Sequence, residues 1–181
     1  MTEPEPTAPT ATDRYIRTLA AAAHAHDPAL RRLSKWQPEG IVDPVVIGLT
    51  AEANDEQWIS WALTGKLFAR WHFGRASVRY GTEGAGLGHA LRTIGSPGAR
   101  GPRNPAALRL LTRLTTVDSD PALSFTVDAI GAALRSSDYP PRWSSVADEI
   151  HAWRNPQTRN ITRVLWARQF HTYQPAPTSA S

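Results

Sequence analysis

Apolar residues recur at intervals of three and four along most of this chain, and polar residues mark where each run begins and ends. Tyr15, Ile16, Leu19 and Ala22 or Ala23 outline a first amphipathic helix. A short second one turns Leu30 and Leu33 inward and Arg31, Arg32 and Lys35 outward. The longest stripe joins Trp58, Trp61, Ala62, Gly65, Phe68, Ala69 and His72 on a helix expected from Asp55 to about Phe73. Its small members, Ala62, Gly65 and Ala69, let another helix approach closely. Leu87 to Ile94 predicts a short helix. Leu108, Leu111 and Leu114 line the next, and Leu123, Val127, Ile130 and Leu134 the one after. Tyr139-Pro140-Pro141 breaks the chain. Trp143, Val146, Ile150 and Trp153 then mark a helix, and a last one from Asn155 to Tyr173 is expected to bury Ile161, Leu165 or Trp166, and Phe170.

Helix starts are legible as well. Asp27-Pro28, Asp43-Pro44, Asn104-Pro105, Asp120-Pro121 and Asn155-Pro156 each set a capping side chain before a proline that needs no N–H of its own. Ser77 to Tyr80 alone has the character of a strand, and an isolated strand has no partner. The expectation is an all-α compact bundle of about eight or nine helices, open to a division into two lobes meeting near residues 84–101. It occupies residues 13–173, between tails at 1–12 and 174–181 rich in Pro, Thr, Ala and Ser that cannot offset their own ordering entropy.

Composition adds exclusions. The chain has 181 residues and no cysteine, so neither a disulfide framework nor a thiolate metal site is available. No apolar run reaches transmembrane length and the N-terminus lacks a signal-peptide pattern, which leaves the cytoplasm as the expected location. The net charge of +4 is unevenly distributed. Residues 1–60 carry nine acids and five bases, whereas the remainder carries seven acids and fifteen bases. Between Lys66 and Arg113, nine basic side chains meet one acid, Glu83. Such a field suits a polyanion.

Inside that basic stretch lies Gly84-Ala85-Gly86-Leu87-Gly88, where bare backbone suggests contact with phosphate or with another backbone. A dinucleotide loop would need a preceding strand and a βαβ unit, and no Gly-Lys-Ser/Thr P-loop occurs. His24-x-His26 lacks a third ligand in sequence, and His72 sits on a buried stripe. Asp118, Asp120, Asp148 and Glu149 read as capping and first-turn carboxylates, and G-x-S-x-G is absent. No catalytic residue, metal site or cofactor is assigned.

Basic pairs are the stronger signal. Lys66 and Arg70, Arg109 and Arg113, and Arg159 and Arg163 are each four apart, and Arg154 to Tyr173 holds four arginines and no acid. Without intrahelical acids, such pairs suit phosphate, which Arg grips bidentately. The expected sequence-independent groove comprises Arg31, Arg32, Lys66, Arg70, Arg75, Arg79, Arg103, Arg109 and Arg113. Arg159, Arg163 and Arg168 form a second strip that either touches nucleic acid or faces a neighbouring subunit.

From Tyr15 to Phe170 the chain resembles the CasB family, the small subunit of the type I-E CRISPR Cascade surveillance complex. The resemblance rests on an ordered set: Leu30-Arg31-Arg32, Ala62, Leu67-Phe68-Ala69 with His72, Gly84-x-x-Leu87-Gly88-x-Ala90-Leu91, Leu110-Leu111 with Arg113, Trp143, Trp153, and Trp166-Ala167-Arg168-x-Phe170. It implies a non-enzymatic architectural subunit of antiviral defence. Such a subunit pairs head to tail with a second copy, beside backbone subunits and the large subunit. It steadies the guide RNA–target DNA hybrid and offers a basic surface to the displaced strand, leaving sequence recognition to base pairing. One departure stands out: Ala106 and Ala107 occupy a place where the family commonly has a basic pair. Two other classes compete with this reading. A stand-alone helical DNA- or RNA-binding protein would want a polar reading helix. A protein-interaction subunit would turn its basic face to acidic partners.

Overall fold

The structure, a computed structural model, describes residues 8–81 and 85–172. Most of the expected tails, Tyr173, Glu83 and Gly84 lie outside these residues. Among the described residues there are nine α-helices and no strand, so Ser77 to Tyr80 is a loop. In chain order they are α1 (Ala11–His24), α2 (Pro28–Leu33), α3 (Pro44–Leu49), α4 (Trp58–His72), α5 (Leu87–Arg92), α6 (Pro105–Thr116), α7 (Asp120–Ala133), α8 (Trp143–Arg154) and α9 (Arg159–Thr172). Short 3-10 turns precede α6 at Gly101–Arg103 and follow α7 at Leu134–Ser136.

Local chemistry sets the boundaries. The α1 helix begins ahead of residue 13 because Thr10 caps it: its hydroxyl accepts from the Asp13 N–H at 3.1 Å while Asp13 accepts from the Thr10 N–H at 3.2 Å. Asp27, Asp43 and Asn104 cap α2, α3 and α6 as expected, accepting from Ala29, Val45 and Ala106. The other two Pro pairs behave differently. Asp120 is already helical, with Ser119 at the N-cap position, and its carboxylate holds Arg154 at 3.0 Å. Asn155 closes a turn by accepting from the Gln157 N–H, and α9 starts only at Arg159. Likewise Asn54 ties down the Glu56 and Gln57 amides, so α4 begins at Trp58 and not at Asp55.

Helix α4 is the centre of the molecule, packed by α1, α2, α7 and α8. Every residue from Ser60 to Ala69 is buried, so the expected stripe is in fact a helix covered on all sides. Helix α9 plays the second central role, against α5, α6 and α8. One continuous core joins the two groups and runs from Tyr15 to Phe170. Six tryptophans are buried in it and Trp58 is half-buried. Two apolar assignments change: Leu108 and Ile161 face outward, because Ala107 and Thr162 take the inward positions, and of the pair Leu165 or Trp166 it is Trp166 that is buried.

Candidate nucleic-acid interface

From Gly86 onward the glycine stretch is not an open phosphate loop. At the start of α5, the Leu87 N–H donates to Glu149 Oε2 at 2.9 Å and the Gly88 N–H donates to Gln169 Oε1 at 3.1 Å. Glu149 also accepts from Trp166 Nε1 at 2.9 Å and from Gln169 Nε2 at 2.6 Å. A Cβ on Gly86 would fall 1.7 Å from Glu149 Oε1, and one on Gly88 would fall 2.1 Å from the Trp166 carbonyl. The glycines therefore let α5 lie against α8 and α9, and an internal carboxylate already occupies its amino end. Glu149 is thus no first-turn residue of α8. It is a buried strut in the body of that helix, whose carboxyl burial pushes up in pKa against three stabilising hydrogen bonds.

The expected basic groove separates into inward and outward residues. Lys66 is fully buried, its ammonium 2.8 Å from Asp128 Oδ1 and 2.8 Å from Ser124 Oγ. It cannot meet a phosphate, and its assignment to the groove is corrected on that ground. Burial pulls its pKa down against the hold of Asp128. Arg70 shares the same carboxylate oxygen at 3.0 Å and donates to the Ser34 carbonyl. Arg75 lies 3.7 Å over the Trp71 ring and donates to the carbonyls of Trp71, Arg135 and Ser137. Arg159 stacks on Trp153 and donates to its carbonyl, and Arg163 donates to the Val117 carbonyl and to Asn160. These side chains brace loops and helix ends. Arg32 and Arg79 are exposed yet tethered, to the Asp43 carboxylate and the Asp138 carbonyl respectively.

Arg31, Arg103, Arg109, Arg113 and Arg168 are exposed and have no ion pair among the described residues. Arg109 and Arg113 stand one turn apart on the outer face of α6, where they line a 470 Å³ concavity with Ala106 and Leu110. Arg103 is in the turn that leads into this helix. Ala107, by contrast, is wholly buried in the core, so of the two alanines only Ala106 shares the basic face. Arg31 lies apart from these, on α2, lining a 740 Å³ cleft with His24, His26, Phe73 and Arg75. Arg17 and Lys35, both exposed, and Arg100 and Arg135 were outside the sequence-derived set. Arg17 is on the polar face of α1, where helix periodicity would have found it, and Lys35, already read as outward, follows the C-cap of α2. Nothing in spacing marks Arg100, which precedes the 3-10 turn at Gly101–Arg103, or Arg135, which lies in the one after α7.

His72 is a core histidine: Nδ1 meets the Phe68 carbonyl at 2.9 Å and Nε2 accepts from the Arg79 N–H at 3.1 Å. Burial brings its pKa down to about 4. His24 and His26 are exposed. Among the described residues no three His, Cys, Asp or Glu side chains gather to hold a metal ion.

Comparison with known proteins gives the family. The family model of the CRISPR-associated protein Cse2 matches residues 4–171. The chain belongs to the Cse2 family. Cse2, or CasB, is the small subunit of type I-E Cascade, so this is a Cascade subunit. Its fold is that of CasB from Thermobifida fusca, with a TM-score of 0.70 at 21% identity over 89% of this chain and 96% of that one. CasB from Thermus thermophilus gives a TM-score of 0.61 at 17% identity, over 91% of this chain and 99% of that one. M. ruber CasB gives 0.61 at 20%, over 90% and 93%. No curated protein matches the chain in sequence. Among the described residues no helix is long and apolar enough to cross a membrane.

Proposed function

We propose that this Cse2 chain is a non-catalytic, cytoplasmic subunit. It holds guide RNA–target DNA hybrid and displaced strand by charge and shape, alongside the large subunit, the backbone subunits and a second copy of itself. The observation that carries this reading is the outer face of α6. There Arg109 and Arg113, with Arg103 just before them, are exposed and lack an acidic partner among the described residues. Guanidinium groups one helical turn apart match successive phosphates without reading bases. The Arg109→Ala/Arg113→Ala double variant should flatten the salt dependence of log K by about two units and weaken all sequences alike. In assembled Cascade it should reduce target-DNA retention more than guide-RNA loading. Unchanged salt dependence would remove α6 from the interface.

A protein-facing role is favoured for one element. Helix α9 exposes Ile161, Val164 and Leu165 beside Arg168, an apolar outer face that suits a neighbouring subunit better than a phosphate backbone. Arg168 is accordingly read as a rim residue of that contact. A stand-alone DNA-binding regulator is less well supported, since the outward arginines sit on separate helices with no polar reading face.

A further inference from the structure

The loops after α4 and after α7 are tied to each other, and both present aromatic rings. The segment after α4 carries Phe73 and Tyr80, exposed by 65% and 51%, and the segment after α7 carries Tyr139, exposed by 56%. Two of the rings have a guanidinium beside them, and the third follows an arginine in the chain. The Arg135 guanidinium lies 5.7 Å from the Phe73 centroid, the Arg100 guanidinium 5.8 Å from that of Tyr139, and Arg79 adjoins Tyr80 in the chain. All three arginines are exposed.

The loops are held to one another by hydrogen bonds. Arg75 ties the first loop to the Arg135 and Ser137 carbonyls, Arg79 reaches the Asp138 carbonyl at 3.1 Å, and Trp143 Nε1 donates back to the Arg79 carbonyl at 2.7 Å. Gly81, at φ +84°, runs so close to Pro141 that a Cβ would meet its carbonyl oxygen at 2.0 Å. The rings are therefore mounted on a fixed frame.

A lone exposed aromatic is ordinary. Three on mutually braced loops, two of them with a guanidinium at the ring, match the surfaces on which unpaired bases stack while arginines meet the intervening phosphates. The apolar face of α9 is the contrast: Ile161, Val164 and Leu165 are aliphatic and offer no ring on which a base could stack. Among the described residues the acid in the cluster is Asp138, whose carboxylate lies 3.7 Å from Arg75.

We propose that this loop cluster is a base-stacking platform for single-stranded nucleic acid, built from Phe73, Tyr80 and Tyr139 with Arg79, Arg100 and Arg135. The proposal rests on the nucleic-acid reading above and adds to it that unpaired bases, and not phosphates alone, are held here.

The test uses the full-length chain and three labelled probes in fluorescence anisotropy: oligothymidylate of about 20 nucleotides, an abasic phosphodiester strand of equal length, and a duplex. The wild-type chain should bind oligothymidylate about tenfold or more tightly than the abasic strand. Phe73→Ala/Tyr139→Ala should abolish that preference while leaving the salt slope, the abasic strand and the duplex unaffected. Phe73→Tyr/Tyr139→Phe, which keeps both rings, should bind as the wild type does and so controls for misfolding. Equal wild-type affinity for oligothymidylate and the abasic strand would overturn the platform. So would an alanine variant that still prefers oligothymidylate. If Arg109→Ala/Arg113→Ala weakens all three probes in either case, the platform alone has failed. If no probe shows salt-dependent binding, the broader nucleic-acid reading falls with it.

Discussion

Helices α4 and α6 each carry a basic pair four residues apart, Lys66 with Arg70 and Arg109 with Arg113, and the fold uses the two pairs in opposite ways. On α4 both cations converge on one carboxylate, Asp128, with Lys66 fully buried and Arg70 and Asp128 partly so. On α6 both point outward and share a shallow concavity with Ala106 and Leu110. The difference lies in what covers each helix. Helix α4 is enclosed by four others, so its charges must be neutralised from within, whereas α6 keeps an open face. Positive charge in a sequence is evidence for a polyanion only where the fold leaves it accessible.

The sharpest way to break this contrast is to orphan the buried cation. Asp128→Ala leaves Lys66 ionised or desolvated with Ser124 alone, and should lower stability by about 3–5 kcal/mol in urea unfolding. Lys66→Met should cost less, because Asp128 keeps Arg70 and sits near Gln37. If the methionine variant is the weaker of the two, the account of this cluster is wrong.

Next in size is Glu149→Ala, which strips a partner from the Leu87 N–H, Trp166 Nε1 and Gln169. A loss of about 3 kcal/mol is expected, from donors left unsatisfied in the interior. Cooperative unfolding with a wild-type midpoint would contradict it.

The dependence on pH separates the buried titrating groups. Burial is the main cause that brings His72 and His89 from 6.5 to about 4 in the folded chain. Folding therefore favours their neutral forms. The stability they contribute is full above pH 6.5 and is lost as the pH falls toward about 4. Glu149 runs the other way: its pKa is raised above 4.5, so its contribution is full below that value and is lost as the pH rises. Melting temperature followed from pH 7 to pH 4 should thus fall less steeply in His72→Gln than in the wild type, even if the variant starts lower. An equally steep fall would show that His72 does not titrate across this window.

The smallest stability effect belongs to the outward pair. Arg109→Ala/Arg113→Ala should change unfolding free energy by no more than about 0.5 kcal/mol while flattening the salt slope of nucleic-acid binding. Lys66→Met should do the reverse, lowering stability with no change in slope.

Most helices were legible because periodicity and capping are local. Three of the Asp/Asn-Pro pairs cap helices as read, and Asp120 departs because Arg154, far along the chain, claims its carboxylate. What was not legible depends on distant partners. Lys66 looked like one half of a surface pair because nothing near it in sequence announces Asp128. Ile161 and Leu165 fit an inward spacing as well as Thr162 and Trp166 do, and only the position of α5 and α6 decides which face is covered. The glycine stretch was recognised as special, but for close backbone approach and not for phosphate. That distinction turns on Glu149, which a sequence reading places in the first turn of its helix and the fold places in the middle.

The tie at Glu149 also bears on how the chain reaches its native state. Helix α5 has six residues, too few to persist in water, and its first amides are satisfied from α8 and α9, more than fifty residues onward. It therefore cannot be an early local nucleus. It forms when the C-terminal helices have docked, a non-local step that carries the cost of closing a long loop. The Leu87 amide, held by a carboxylate buried in that late-forming junction, should then exchange its hydrogen only when the whole C-terminal half opens, and becomes a single-site reporter of that event.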